Sequence, residues 1–427
     1  MAKKTKDSNL SLEERLEQAL IPNWDEPYKL PQNWCWTKFL YCSKIRTGKK
    51  DANYGSENGE YPFFTCASDP IRCNGYSFDC RAILLAGNGD IGNISIYDGK
   101  FEAYQRTYVV ETLGNINTQY AYYYFKYRWV DFNQDKMFGS AIPYIRLGNL
   151  QDFPFPIAPI EEQERIVKCV DALFTKLNEA KEKAQEVVDG FETRKAAILH
   201  KAFSGELTAK WREENGVNIV NYAKKRFDEV AIIKSNLVNP SEYQNYPHIA
   251  PDNIEKKTGV LLEYHTIAED GVKSGKHRFY PGQILYSKIR PNLSKVVIVD
   301  FDGLCSADMY PIEAIGDAKC LWYFMLSENF LEQASSAGSR SVLPKINQKE
   351  LSALTVTIPD SIEEQKEIAN IIDSLFAKEY QVKETAEAVI EQIDTMKKAI
   401  LARAFRGELG TNDPNEESAV ELLKQII

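Results

Sequence analysis

Cysteine is scarce in this chain, eight in 427 residues. Cys66, Cys73 and Cys80 have six residues between neighbours, a spacing that matches no zinc pattern. The cysteines are read as reduced and structural, in a cytoplasmic protein. Histidine is scarcer still: His200, His248, His265 and His277 show no HExxH or other ligand spacing. No apolar run approaches the ~20 residues that a membrane helix needs. The basic start, Met1-Ala2-Lys3-Lys4-Thr5-Lys6, leads into a polar run, so it is not a secretory signal. No GxxxxGK[ST] loop is present, which excludes a P-loop ATPase. The Asp/Asn-Pro-Pro-aromatic tetrapeptide of amino-methyltransferases is missing as well. The nearest strings, Asn239-Pro240-Ser241 and Asp413-Pro414-Asn415, depart from it. Gly87-Asn88-Gly89-Asp90-Ile91-Gly92 matches GxGxxG, but an alternating, strand-like run follows it where a dinucleotide site needs a helix. It is read as a glycine-rich turn. No catalytic, metal or cofactor constellation emerges, so the chain is expected not to be an enzyme.

A surplus of positive charge is also lacking: the formal net charge is −9. The negative charge is local. Residues 160–215 carry −2 and 362–427 carry −6, whereas 1–159 and 216–361 are close to neutral, at 0 and −1. A neutral domain can bind DNA through a local basic patch, but the global field gives little help.

What the sequence does have is an internal repeat. Ile160-Glu161-Glu162-Gln163 returns as Ile362-Glu363-Glu364-Gln365, an offset of 202. Gly205-Glu206-Leu207 returns as Gly407-Glu408-Leu409, and over 160–207 against 362–409 there are 23 identities in 48 positions. Both copies are free of proline and end at a glycine, as long helices do. Steps of four and three give Ile166, Val170, Leu173, Leu177, Ala180, Ala184, Val187, Phe191, Arg194 and Ile198 in the first copy. The second gives Ile368, Ile372, Leu375, Glu379, Val382, Ala386, Val389, Ile393, Met396 and Ile400. Nine of ten positions are apolar in each, a heptad seam. About 43 residues at 1.5 Å make a rod of roughly 65 Å. The partner expected for each seam is the other copy, running antiparallel; the alternative is that each helix packs on its own globular part.

The stretches between the helices are rich in aromatic and β-branched residues with Gly and Asn turns. Ala82–Ala86 with Ile94–Tyr97, and Gln283–Tyr286 with Val296–Val299, read as strand–turn–strand pairs. Tyr122–Phe125 echoes Leu321–Phe324 as a buried helix, and Gly139-Ser140 echoes Gly338-Ser339. The expected class is α+β: two mixed α/β domains, separated by two long helices that pair as an antiparallel coiled coil, with a pseudo-two-fold repeat. Basic and amide residues in the loops are candidates for contacts with phosphates and base edges. In the first domain these are Lys44, Arg46, Lys49, Lys50, Asn53, Arg72, Arg106 and Arg146. In the second they are Lys234, Asn236, Lys288, Arg290, Asn292, Arg340 and Lys345.

The paired helices, opening on Ile-Glu-Glu-Gln and closing on Ala-Phe-Ser/Arg-Gly-Glu-Leu, resemble the specificity subunits of type I restriction–modification systems. Trp34-Cys35-Trp36 after Pro31, and Pro154-Phe155-Pro156 before the first helix, fit the resemblance, which covers essentially the whole chain. It implies an N-terminal segment 1–30 and a target recognition domain at 31–158. A long helix follows at 160–207, then a connector and second recognition domain at 208–358, a second helix at 360–409 and a tail helix at 410–427. It further implies that each recognition domain reads one half of a bipartite double-stranded DNA target, with the helices as the ruler. Methyltransferase subunits would dock on this chain, restriction subunits would join through them, and neither chemistry would belong to it. The rival expectation is a coiled-coil scaffold joining two protein-binding modules. The tail from Asn412 is expected to fold as a short amphipathic helix after a turn at Pro414; packing within the molecule, against residues 10–20, is favoured over contact with a partner.

Overall fold

The computed structural model describes residues 10–217, 222–338 and 344–427. They form two compact units: Met1–Lys183 with Val389–Ile427, and Ala184–Ala388. Each unit therefore holds one globular part plus a portion of both long helices.

In the first unit, β1 (Cys35–Lys38) pairs antiparallel with β8 (Pro154–Ile157), apart from a six-stranded sheet. That sheet is built from β2 (Ser43–Thr47), β3 (Tyr61–Phe64), β4 (Ile71–Cys73), β5 (Phe78–Ala86), β6 (Ile94–Ala103) and β7 (Thr107–Thr112). Their order is β2-β7-β5-β6-β3-β4. The run Ala82–Ala86 is buried on both sides because the side chains of a strand alternate. Ile83 and Leu85 face a core shared with the helix Thr118–Asn133, while Ala82 and Leu84 join Phe64, Phe101 and Val109 on the other side.

The second unit repeats this plan. Here β9 (Lys224–Arg226) is followed by β10 (Ala231–Ile233), β11 (Leu237–Val238), β12 (Pro247–Ile249), β13 (His265–Thr266) and β14 (Lys276–Phe279). Then come β15 (Ile284–Ser287), β16 (Val296–Ile298), β17 (Gly303–Cys305), β18 (Met309–Ala314) and β19 (Thr355–Thr357). β9 pairs with β19, as β1 does with β8. The order β10-β18-β15-β16 matches β2-β7-β5-β6 strand for strand, all antiparallel. Ile284 and Tyr286 face one core, and Leu285 and Val297 the other, as in the first unit. The unit adds a separate sheet, β11-β14-β17-β12-β13. Its helix counterpart is split into Ala318–Met325 and Glu328–Ala337 by Ser327, whose hydroxyl caps the second piece.

The second long helix is unbroken over Ile362–Ala404, 43 residues. The first differs from the expectation of one rod: it runs Ile160–Asp189 and Phe191–Phe203, with a break at Gly190. The backbone hydrogen bonds continue across it, Gly190 N to Glu186 O and Arg194 N to Gly190 O, both 3.0 Å. A Cβ on residue 190 would lie 2.6 Å from Arg194 Nη1. Arg194 uses that room to donate to Val187 O at 2.9 Å and, through Nε, to Glu379 at 2.7 Å. The polar position in each seam is thus the partner of the other.

Pairing between the copies is antiparallel within each unit. In the first, Lys181 meets Asp394 at 2.9 Å, and Lys397 donates to Asn178 at 2.5 Å while lying over the Phe174 ring. In the second, Phe191 packs on Tyr380, and Leu199 and Ala202 share a core with Ile368 and Ile372. Ile166, Val170, Phe191, Ile368, Ile372 and Ile393 are buried; Leu173, Leu177, Val187, Ile198, Leu375 and Ile400 are half-buried, since a two-helix contact leaves one flank open. Ala180, Val382, Val389 and Met396 are corrections: all four are exposed, Val389 by 36% and Val382 and Met396 by 48% each, and the half-buried Lys397 takes the inward place next to Met396. The buried positions Ile393, Leu401 and Ala404 keep closer to 3.6 residues per turn than to a strict 3.5, so the facing side drifts.

The repeated tetrapeptide explains itself in the fold. Gln163 accepts from Asn117 N at 2.9 Å and donates to Ala158 O at 2.8 Å; Gln365 does the same with Asp317 N and Pro359 O, both at 2.7 Å. Each second glutamate holds the threonine beyond the other copy's Gly-Glu-Leu: Glu162 accepts from Thr411, and Glu364 from Thr208, both at 2.7 Å. The tail helix Ala419–Ile426 buries Leu422 and Leu423 in the first unit's core, against which Leu16 and Leu20 also pack. It packs inside the molecule, as expected. Among the described residues, no helix is long and apolar enough to cross a membrane.

Candidate nucleic-acid interface

In the first unit the turn after β5 is the joint that gathers the loops. Gly87 N donates to Arg106 O at 2.8 Å, Gly87 O accepts from Ile145 N at 2.9 Å, and Gly89 N donates to Pro143 O at 2.8 Å. A Cβ on residue 87 would sit 2.2 Å from Arg106 O, so a side chain there would push the loops apart. The GxGxxG string is therefore a turn that binds loop to loop, with no helix after it. Around it open a cavity of about 540 Å³, lined by Arg46, Lys49, Phe78 and Tyr108, and a smaller one of about 290 Å³ lined by Gln105 and Arg106. Both also include Thr47 in their walls.

The structure brings Arg46, Lys49, Arg106 and Arg146 to these loops. Arg46 is held by Glu111 and lies 4.8 Å from the Phe78 ring centroid. Lys44, two residues earlier on β2, is 3.6 Å from the same carboxylate. Arg146 lies over Phe138 at 3.8 Å and donates to the Tyr144 hydroxyl at 3.3 Å. Lys50 lies over the Tyr54 ring at 4.3 Å. Arg72, in the edge strand β4, and Asn53, in the turn Ala52–Tyr54, are both exposed. These aromatic supports limit rotamer freedom, so the cations are held in place before any ligand arrives.

The second unit builds the same joint from different side chains. Ile346 N donates to Lys288 O at 2.9 Å, Arg290 N donates to Pro344 O at 2.8 Å, and Ile289 bridges to Lys345. Lys288 donates to Ala307 O at 2.6 Å, and Lys345 reaches Asp308 at 3.2 Å. Arg290 is exposed with φ +47°, a left-handed conformation that few side chains adopt, and Asn292 is exposed in the turn after it. Lys234 pairs with Glu313 at 3.0 Å, and Asn236 is exposed before β11. Arg340 lies outside the described residues.

Sequence reasoning missed a second basic group here. Lys276 and Arg278 lie on β14; Arg278 lies among the rings of Tyr243, Tyr246 and Tyr280 at 5.4, 5.8 and 4.8 Å. The alternation Lys276-His277-Arg278-Phe279-Tyr280 was the available signal, since a period of two places the cations and Tyr280 on one face. Burial lowers the Lys276 pKa, against the pull of Asp308; burial and then nearby Lys288 lower that of His277. Among the described residues, no group of three or more His, Cys, Asp and Glu side chains could hold a metal ion.

Comparisons with known proteins agree with this architecture. The family described as "Type I restriction modification DNA specificity domain" matches twice, over residues 42–188 and 219–392. The type I restriction enzyme EcoDI specificity subunit of Escherichia coli is 40% identical, covering 93% of this chain and 95% of its own. The EcoBI specificity subunit of the same species is 26% identical over 67% of this chain and 66% of its own. Two solved structures share the fold. The HsdS subunit from Thermoanaerobacter tengcongensis has a TM-score of 0.55 at 17% identity, covering 90% of this chain and 99% of that one. A chain from "Structural basis underlying complex assembly and conformational transition of the type I R-M system" has a TM-score of 0.64 at 18% identity, covering 90% and 100%.

Proposed function

This chain belongs to the family of type I restriction–modification specificity subunits, and on that premise we propose that it reads an asymmetric, two-part DNA target. The domain at 31–158 takes one half-site and the domain within 208–358 the other; the helices at 160–207 and 360–409 set the spacing. The segments 1–30 and 410–427 serve the first domain. Methyltransferase subunits dock on the chain and restriction subunits join through them, in the cytoplasm. The chain itself carries no catalytic step. One observation carries this reading: the same loop joint occurs twice, after β5 and after β15, and each presents a different set of cations. A common scaffold with unlike side chains is what two unlike half-sites require.

The test is a map of methylated adenines in cells that hold the complete system, with and without this chain. The expected result is one asymmetric bipartite motif that vanishes without it. Replacing residues 31–158 by another recognition domain should change one half of the motif only. A change in both halves, or no motif at all, would favour the scaffold reading. Alanine at Arg46, Lys49 or Arg290 should cost roughly 1–3 kcal/mol on target DNA where the side chain touches a base edge. Equal losses on target and random duplex, measured by titration, would make that residue a phosphate contact.

A further inference from the structure

The helix Thr118–Asn133 leads to a small hairpin in the first unit. Phe138 and Tyr144 exchange two backbone hydrogen bonds of 2.9 Å each. Gly139 makes the turn possible: its φ is +85°, and a Cβ there would lie 2.7 Å from Ile142 O. The hairpin is fastened at Pro143 and Ile145 to the Gly87–Gly89 turn, which also holds the Arg106 loop. Its tip is thus fixed relative to Arg106 and Arg146. At that tip Ile142 is 62% exposed, an apolar side chain held out into water. Isolated apolar exposure needs no explanation by itself. Here the side chain projects from a pinned hairpin beside Arg146, whose guanidinium is stacked on Phe138.

An exposed apolar side chain on a pinned hairpin that also carries a stacked arginine complements the DNA major groove, where thymine alone presents a methyl group and guanine presents two acceptors for arginine. We propose that the hairpin Phe138–Tyr144 is a reading finger, and that Ile142 packs on the 5-methyl group of one thymine in the half-site bound by the first unit. This rests on the DNA-reading function above and names a residue and a base for it.

The experiment uses the full-length chain and a library of duplexes with randomised sequence. Bound duplexes are recovered and sequenced, and each thymine of the preferred duplex is then replaced by uracil, which removes only the methyl group. For the unaltered chain, uracil at one position should weaken binding roughly fourfold, the value of one buried methyl. For Ile142→Ser that penalty should disappear and other bases should be accepted at this position, with preference unchanged elsewhere. Gly139→Val, which disturbs the turn, should relax reading at the same position. The finger is overturned if uracil costs nothing at every position, or if Ile142→Ser keeps the same penalty. If the unaltered chain enriches no duplex at all, the DNA-reading function falls and the finger with it, so the two failures are told apart.

Discussion

Replacing Glu364 by alanine is expected to destabilise the second unit by about 3–5 kcal/mol, the usual cost of leaving a buried charge without its partner. Glu364 and Arg212 are 2.7 Å apart, with side chains only 1% and 5% exposed. The same carboxylate accepts from Thr208 at 2.7 Å and from Tyr222 at 3.0 Å. Arg212 also donates to Gly205 O at 2.5 Å, so it cannot swing to water without opening the turn that ends the first helix. The counterpart change, Glu162→Ala, should cost less, about 1–3 kcal/mol. Its partner Arg165 is 38% exposed and keeps a second carboxylate, Glu416, at 2.7 Å. Urea titrations of both variants followed by tryptophan fluorescence would check the order. Equal losses would mean that Arg212 finds water or another acceptor, and the buried clasp would have been overrated.

The second large effect is expected from length. Removing seven residues from each helix at facing positions, 175–181 and 394–400, takes out both partners of the Asn178–Lys397 and Lys181–Asp394 pairs together, so the flanking turns keep their antiparallel register. Seven residues shorten a helix by about 10.5 Å, close to three base pairs at 3.4 Å each. If the helices set the gap, the methylated motif should keep both half-sites and lose about three base pairs between them, and the original sites should go unmodified. Adenine methylation mapped across the genome reads this directly. An unchanged gap would remove the helices from the role of ruler.

The two helices were legible because their constraints are local and doubled. The buried glutamate and glutamine of Ile-Glu-Glu-Gln, and the left-handed Gly205 and Gly407, allow few substitutes, so the residues persist in both copies. The seam was legible at Ile166, Val170, Ile368 and Ile372 and misread at Val382, Val389 and Met396, because a fixed four-three step ignores the drift of a real helix. The shared strand order of the two units left little trace in sequence: Ile83 and Ile284 need only be apolar on the right face. The interface was the least legible part. Gathering Arg106 with Arg146 depends on hydrogen bonds from glycine backbone, and Arg278 depends on Tyr280 two residues away and on Tyr243 and Tyr246 from one distant turn. The first arrangement has no spacing that a linear reading could find; the second left only the alternation of Lys276, Arg278 and Tyr280.

The interleaving of the units bears on how the chain is made. Residues 184–388 form one unit without help from either end, whereas the other unit waits for Val389–Ile427. On a ribosome the middle of the molecule can therefore close first. The opening 180 residues must stand with their core unsealed until Phe405, Leu422 and Leu423 emerge to fill it. A message cut short after residue 388 would yield one complete unit and one with an open core, and limited proteolysis should attack the open one first.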